Sequence, residues 1–195
     1  MDVKLLFFAG SARQNSLNKK LAKAAALKAE AFGAKTTFLD LSDFPMPLYC
    51  GDLEEADGVP DAARQLADIL KLQDGVFIAG PEYNSSITPL LKNTLDWVSR
   101  LRSDGSPPRT PWHDKVYAVG STSMGALGGI RVIQTMVGLL VNGYQVPVIP
   151  NTIAVPRGHE VLGEDGAINA ELMDQLMTEA MRVFVETAGR QKMSS

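Results

Sequence analysis

Hydrophobic and polar positions follow two alternating patterns along this chain. Short, nearly uninterrupted apolar runs are typical of strands buried on both faces of a parallel sheet. Four such runs predict strands at Val3–Ala9, Thr36–Leu39, Gly75–Gly80 and Lys115–Ser121. A fifth strand is predicted over Tyr144–Ile149, where Pro147 restricts it to the edge of the sheet because proline cannot donate to a strand partner.

Between these runs, apolar residues recur at the spacing of three and four that is typical of amphipathic helices. Five helices are predicted, and they begin near Leu17, Val59, Thr88, Ile130 and Asn169. Pro60 is expected in the first turn of the second helix, and Thr88 is expected to cap the third. The segments Asp40–Gly58 and Arg102–Trp112 are rich in polar residues and proline, which predicts surface loops.

Strand and helix therefore alternate five times, and no linker is long enough to divide the chain. This alternation predicts one α/β domain over residues 1–195, a three-layer sandwich with helices on both faces of a parallel sheet. A doubly wound sheet with the strand order 2-1-3-4-5 would place the strand that contains Pro147 at an edge.

Composition narrows the classes of function. The chain has 195 residues, of which 45% are hydrophobic and 21% charged, and this excludes disordered, collagen-like and coiled-coil proteins. A net charge of −3 gives no basic surface for nucleic acid. Cys50 is the single cysteine, and His113 and His159 are the only histidines, so neither an internal disulfide nor a histidine metal cluster is expected. With no basic leader and no apolar stretch long enough for a membrane span, we expect a cytoplasmic protein.

Candidate chemistry lies in three loops that follow the first, third and fourth strands. In such a sheet, ligands bind at the carboxyl ends of the strands. The first loop, Gly10–Asn18, offers hydroxyls, amides and the Arg13 guanidinium at the start of a helix, which favours an anion such as phosphate. It matches neither the dinucleotide fingerprint nor a P-loop. Ordinary helix capping is the alternative explanation for its Ser and Asn residues.

The second and third loops offer turns and small residues. Pro81–Ser86 can contact the edge of a planar heterocycle, or it can be a simple turn into the next helix. The third loop, Gly120–Gly129, allows a flat ligand to approach the backbone, or serves only helix packing. It is not a hydrolase elbow, because Gly120 lies three positions before Ser123. Glu82 is the candidate general acid or base, although a carboxylate at a turn more commonly caps a helix or is solvated.

Taken together, three ordered motifs resemble the NADPH-dependent FMN reductase family, which includes quinone, chromate and azo-dye reductases of flavodoxin-like fold. The motifs are Gly10-Ser11-x-Arg13-x-x-Ser16-x-Asn18, Pro81-Glu82-Tyr83-Asn84 followed by Leu91-Lys92-Asn93-x-x-Asp96-Trp97, and Ser121-x-Ser123-x-Gly125-x-x-Gly128-Gly129. The resemblance extends from the first strand to the last helix.

The resemblance implies a non-covalent FMN. Its phosphate would be held by Ser11, Arg13, Ser16, Leu17 and Asn18. The isoalloxazine would be bordered by Pro81, Glu82, Tyr83 and Asn84, with Ser121 and Gly125 as a third wall. Met124 stands where many members of the family have proline or a small residue, which changes the expected shape of the pocket.

The reaction that the resemblance implies is a ping-pong hydride transfer from NADPH or NADH to FMN, followed by two-electron reduction of a quinone. The flavin carries this chemistry, so no catalytic side chain is expected. Homodimers or homotetramers are implied as well, and a shared face is expected from Trp97, Leu101, Met136, Leu139 and Leu140 unless they lie in the core. A flavodoxin-like electron carrier and a flavin-binding sensor remain the alternatives.

Overall fold

A computed structural model describes residues 2–106 and 108–194. Its five strands form a parallel sheet in the order β2-β1-β3-β4-β5. The strands are Lys4–Ala9 (β1), Lys35–Asp40 (β2), Gly75–Ala79 (β3), Val116–Thr122 (β4) and Ile153–Val155 (β5). The helices are Leu17–Ala31 (α1), Gly51–Asp57 (α2), Asp61–Lys71 (α3), Pro89–Ser99 (α4), Ile130–Gly138 (α5), Gly158–Val161 (α6) and Glu171–Ser194 (α7).

The sheet separates two hydrophobic cores, because successive side chains of a strand point to opposite faces. Leu5 and Phe7 of β1 pack with α1 and α7 on one face. Leu6 and Phe8 pack with α3, α4 and α5 on the other. The predicted flavodoxin-like sandwich and its strand order are confirmed.

The prediction for the fifth strand was wrong in its position. Residues 139–143 form a π-helical turn, and β5 begins only at Ile153. Val148 makes an isolated parallel bridge to Tyr117, where the Pro147 carbonyl accepts a hydrogen bond from Tyr117 N at 2.8 Å. Pro147 therefore does lie at the sheet edge, but the apolar run around it forms only this bridge before the chain reaches β5.

Other boundaries differ from the sequence prediction in smaller ways. The predicted loop Asp40–Gly58 contains a 3₁₀ turn at Leu41–Asp43 as well as α2. Pro60 precedes α3 as its N-cap residue rather than lying within its first turn. The last helix begins at Glu171, and Asn169 N donates instead to the Val161 carbonyl. Segment 102–112 contains no helix or strand among its described residues, which exclude Pro107.

Three of the residues considered for a subunit face belong to the core. Trp97, Met136 and Leu140 are buried against the sheet, whereas Leu101 and Leu139 are partly accessible. No helix in the described parts of the chain is long and apolar enough to cross a membrane.

Candidate flavin site at the carboxyl edge of the sheet

Three loops leave neighbouring strands at the same edge of the sheet. Ala79 is the register partner of both Ala9 and Gly120, so β1 and β3 end side by side, and β4 continues two residues further to Thr122. Gly10 N donates to the Ala79 carbonyl at 2.9 Å, and Gly80 N donates to the Gly120 carbonyl at 2.9 Å. The backbone thus joins the roots of the three loops into one continuous rim at the carboxyl edge of the sheet.

The first loop presents unpaired hydrogen-bond donors at the start of α1. Ser16 caps this helix and accepts a hydrogen bond from Lys19 N at 3.4 Å. The N–H groups of Gln14, Asn15, Leu17 and Asn18 have no acceptor within the part of the chain that the structure describes. Free amides at a helix N-terminus favour a bound anion. The exposed Arg13 adds a guanidinium that has no ion pair among the described residues.

Hydrogen bonds to two distant segments hold this loop in place. Thr88 caps α4, as predicted, and its hydroxyl also donates to the Gly10 carbonyl at 2.7 Å. Gly10 is required here because a Cβ at this position would lie 2.9 Å from Leu91 Cβ. On the other side, the buried Asn18 side chain binds both backbone groups of Thr122. Sequence reasoning missed the positioning roles of Thr88 and Thr122, because hydroxyl and backbone contacts between distant segments leave no local pattern.

An ion pair between the buried Lys19 and the half-buried Asp40 lies behind the same loop. Lys19, in the first turn of α1, contacts Asp40 at the carboxyl end of β2 at 2.5 Å. Burial alone would raise the pKa of Asp40, but hydrogen bonds from Lys19 and Ser42 outweigh it and hold this pKa below its ordinary value of 3.8. Asp40 therefore stays ionised and fixes the orientation of the first helical turn.

The second loop is a tight turn with two residues in the left-handed region. Asn84 and Ser85 have φ values of 51° and 67°, and Tyr83 and Ser86 exchange backbone hydrogen bonds at 3.0 Å across them. This is the geometry of a type I′ turn, for which Asn is well suited. The Asn84 and Ser85 N–H groups have no acceptor among the described residues, so the turn presents two donors.

Glu82 is tied into this turn by a cation from α5. Arg131 Nη1 lies 3.0 Å from Glu82 Oε1, and Glu82 is only half-buried overall. Its other oxygen, Oε2, is buried without a hydrogen-bond partner in the described structure. One carboxylate oxygen therefore ties the second loop to α5, and the other is left without a partner.

The third loop is shaped by close packing around β4. The buried Ser121 hydroxyl donates to the Gly80 carbonyl at 2.6 Å and so links the second and third loops. Gly129 has φ of +82°, and a Cβ there would collide with Ser121 Oγ. Beyond β5, Arg157 N donates to the Gly125 carbonyl at 3.1 Å. Ser121 thus lies beneath the rim, and Gly125 lies on it.

Large apolar side chains stand beside this rim. Met124 and Tyr83 are 69% and 53% exposed, one on the third loop and one on the second. A shallow depression of about 340 Å³ adjoins Ala126 and Arg157, and another of about 360 Å³ adjoins Ser86 and Thr88. The surface is therefore an open shelf, suited to a planar ligand that lies across the loops.

The two histidines and the cysteine belong to segments other than the three loops. His113 lies in the segment before β4, and His159 contacts its neighbour Glu160 at 3.4 Å. Cys50 is exposed at the start of α2. No group of three or more metal-ligating side chains occurs among residues 2–106 and 108–194.

Comparisons with known proteins agree with this geometry. The family model for NADPH-dependent FMN reductase matches residues 3–160. A quinone reductase of Escherichia coli is 35% identical over 122 residues, which are 63% of this chain and 61% of that protein. An NAD(P)H-dependent FMN reductase of Pseudomonas aeruginosa is 34% identical over 155 residues, covering 76% of this chain and 77% of its own.

Among solved structures, the FerB flavoenzyme NAD(P)H:(acceptor) oxidoreductase from Paracoccus denitrificans superposes with a TM-score of 0.75 and 27% identity. This superposition covers 97% of the present chain and 98% of the FerB chain. The match to the Escherichia coli protein is less extensive and spans 61% of that relative's length.

Proposed function

Because the chain belongs to the NADPH-dependent FMN reductase family, we propose that it uses FMN to transfer hydride from NADPH or NADH to quinones or similar acceptors. The observation that carries this proposal is that three loops leave the neighbouring strands β1, β3 and β4 at one edge of the sheet, with unpaired donors on the first two. Relatives named quinone reductase and NAD(P)H-dependent FMN reductase support the choice of substrates.

The first loop fits the phosphate of FMN. A phosphate dianion requires several donors, and the free N–H groups of Leu17 and Asn18 supply them at the positive end of α1. Arg13 can add two parallel hydrogen bonds to phosphate oxygens. In this proposal Ser11 and Ser16 shape the loop, because their hydroxyls accept from Arg13 N and Lys19 N.

The second and third loops fit the flavin ring. The proposal places Pro81, Glu82, Tyr83 and Asn84 along one edge of the isoalloxazine and Gly125 with the underlying Ser121 as the third wall. The unpaired N–H groups of the type I′ turn are suited to the carbonyl oxygens of the pyrimidine portion. Donors fixed there would stabilise negative charge as it develops at that edge.

Bound FMN supplies the redox chemistry, by accepting a hydride and delivering two electrons to an acceptor. The chain's own residues bind and orient, and no side chain at the rim is proposed as a general acid or base. Because the shelf is open, the donor and the acceptor can use the same exposed face in turn. Met124 borders that face and is the residue most able to influence which acceptors fit.

The proposal also includes a cellular compartment and an oligomeric state. The single, exposed Cys50 supports a reducing compartment, which we propose is the cytoplasm. We also propose a homodimer or homotetramer, which the exposed Leu127 and Val141 and the partly exposed Leu101 and Leu139 support. Light scattering across a dilution series checks this second point, since a constant monomer mass would contradict it.

Steady-state kinetics test the proposed activity against the electron-carrier and sensor alternatives. Without oxygen, the FMN-loaded protein should sustain NADPH oxidation only when a quinone such as benzoquinone is present, with the parallel double-reciprocal lines of a ping-pong reaction. A flavodoxin-like carrier or a sensor would retain FMN without sustained oxidation of NADPH. Retention of FMN without turnover would therefore contradict the proposed enzyme while leaving the flavin site intact.

A further inference from the structure

A second concave surface lies at the opposite, amino edge of the sheet. It is a cavity of about 770 Å³ between one face of α3, the segment around Arg102 and the residues that lead into β4. A strand of six residues is about 20 Å long, so the sheet separates this cavity from the carboxyl edge. A ligand held here would not touch the proposed flavin site.

The lining of this cavity is strongly basic in a chain whose net charge is −3. Five cationic side chains line it, against the two carboxylates Asp68 and Asp114: Arg64, Lys71, Arg102, Arg109 and Lys115. The carboxylates pair with Lys71 at 2.8 Å and with Arg109 at 2.6 Å.

The other three cations, Arg64, Arg102 and Lys115, form no ion pair in the described ranges. Both guanidiniums line the cavity. The pKa of the Glu54 carboxyl is lowered by Arg100 and, less strongly, by Arg102, but the lining itself carries five cations against two carboxylates. Such an excess of positive charge is suited to an anionic ligand.

Lys115 adds a buried ammonium group to the same wall. This residue is 5% exposed, and its Nζ donates to the His113 carbonyl at 3.1 Å. An ammonium group has three donors, and its burial without an ion pair is costly. Burial lowers the pKa of Lys115 below its ordinary value of 10.5, although the charges of Asp114 and Asp74 act in the opposite direction. A bound anion would satisfy the remaining donors and offset that cost.

We propose that this cavity binds a phosphorylated small molecule that carries at least two phosphate groups. Its volume lies within the range of about 300–1,000 Å³ that small-molecule sites occupy. Arg64 and Arg102 provide the planar donors that recognise phosphate in pairs, and Lys115 provides a point charge from the floor. Ala67, Leu101 and Pro111 form an apolar wall for the uncharged part of the ligand.

Calorimetric titration of the FMN-loaded protein with inorganic pyrophosphate tests the proposal. Loading with FMN occupies the other proposed phosphate site, so the signal reports on this cavity. Arg64→Gln and Arg102→Gln remove exposed side chains, and neither change should prevent folding. Each substitution is expected to weaken pyrophosphate binding about tenfold or more, since it removes charge-assisted hydrogen bonds.

Arg157→Gln is the matched control, because it removes the same charge from an exposed position near the carboxyl edge. The proposal expects unchanged pyrophosphate affinity in this variant. It is overturned if pyrophosphate does not bind, or if Arg157→Gln weakens binding as much as Arg64→Gln does. It is also overturned if a polyglutamate peptide binds in an Arg64-dependent manner and pyrophosphate does not, since the cavity would then recognise acidic protein segments.

Discussion

The side chain of Asn18 binds both backbone groups of Thr122. Its Nδ2 donates to the Thr122 carbonyl at 3.0 Å, and its Oδ1 accepts from Thr122 N at 3.1 Å. These residues are separated by 104 positions in the sequence. One buried amide thus fixes the start of α1, where the phosphate of FMN is proposed to bind, against the end of β4, where the third loop begins.

Asn18→Ala is expected to weaken both folding and flavin binding. It leaves two backbone groups of Thr122 without partners, which should lower the free energy of unfolding by roughly 2–5 kcal/mol. Urea unfolding of the flavin-free protein measures this loss, and fluorescence titration with FMN measures affinity. Asn15→Ala is the control, since Asn15 is exposed in the same loop and makes no side-chain hydrogen bond within the described residues. Equal stability of the two variants would contradict the proposed anchoring.

Arg13→Gln tests whether the first loop recognises phosphate. The exposed guanidinium is proposed to make charge-assisted hydrogen bonds to FMN, so its loss should weaken FMN binding about tenfold or more. Riboflavin has the same ring and no phosphate, and its affinity should stay unchanged. Fluorescence titrations with the two flavins make the comparison within one variant. A parallel loss of affinity for riboflavin would show that Arg13 acts on the ring or on the fold instead.

Two glycines with nearly equal φ angles separate steric contact from backbone strain. Gly33 has φ of +83° with open space around it, and Gly129 has φ of +82° in contact with Ser121. Gly33→Ala should destabilise the fold by about 1–2 kcal/mol through strain alone. Gly129→Ala should add roughly 1–3 kcal/mol by overpacking and should displace the Ser121 hydroxyl from the Gly80 carbonyl.

Thermal unfolding of both glycine variants measures their stability, and FMN titration measures their affinity for the flavin. Only Gly129→Ala is expected to reduce flavin affinity, because the third loop changes shape there. If the two substitutions proved equally destabilising, the close approach of Gly129 to Ser121 would be refuted.

Acid should expose the contribution of the Lys19–Asp40 pair. Because the folded-state pKa of Asp40 is lowered, its contribution to stability is fully present above the ordinary pKa of 3.8 and is lost as pH falls through the folded value. Asp40→Asn should therefore be less stable than the wild type at neutral pH, and the difference should shrink below about pH 4.

Urea unfolding at a series of pH values measures this difference. Asp68→Asn serves as the control, since Asp68 forms an exposed pair with Lys71 on α3 and should contribute little at any pH. A gap between wild type and Asp40→Asn that stays constant down to the lowest pH at which both fold would contradict the ionised pair.

Strand order and the convergence of three loops were accessible from the sequence, because buried parallel strands and amphipathic helices have strong periodic patterns. The position of the fifth strand was not accessible from the sequence. Its apolar run around Pro147 contacts β4 only through the bridge at Val148, whereas the three residues Ile153–Val155 are too few to give a periodic signal. Short helices such as α2, which has no buried residue, likewise lack an apolar face.

Much of the candidate site depends on contacts between distant residues. Asn18 stays a predicted phosphate contact, and the structure leaves its backbone N–H as the free donor because both polar atoms of its side chain contact Thr122. Ser121 stays a predicted part of the third wall and lies buried beneath the rim. Sequence motifs singled out segments that converge in the fold, but which of their atoms remain free is determined by tertiary packing.

The most direct test of the central claim is the anaerobic reduction of the FMN-loaded protein by NADPH. The absorbance of the flavin near 450 nm reports this reduction. The account predicts rapid bleaching of the flavin band and its return when a quinone is added. Flavin that stays bound and oxidised in the presence of NADPH would contradict the proposed reductase. Failure of the protein to retain FMN would contradict the assignment of the three-loop site itself.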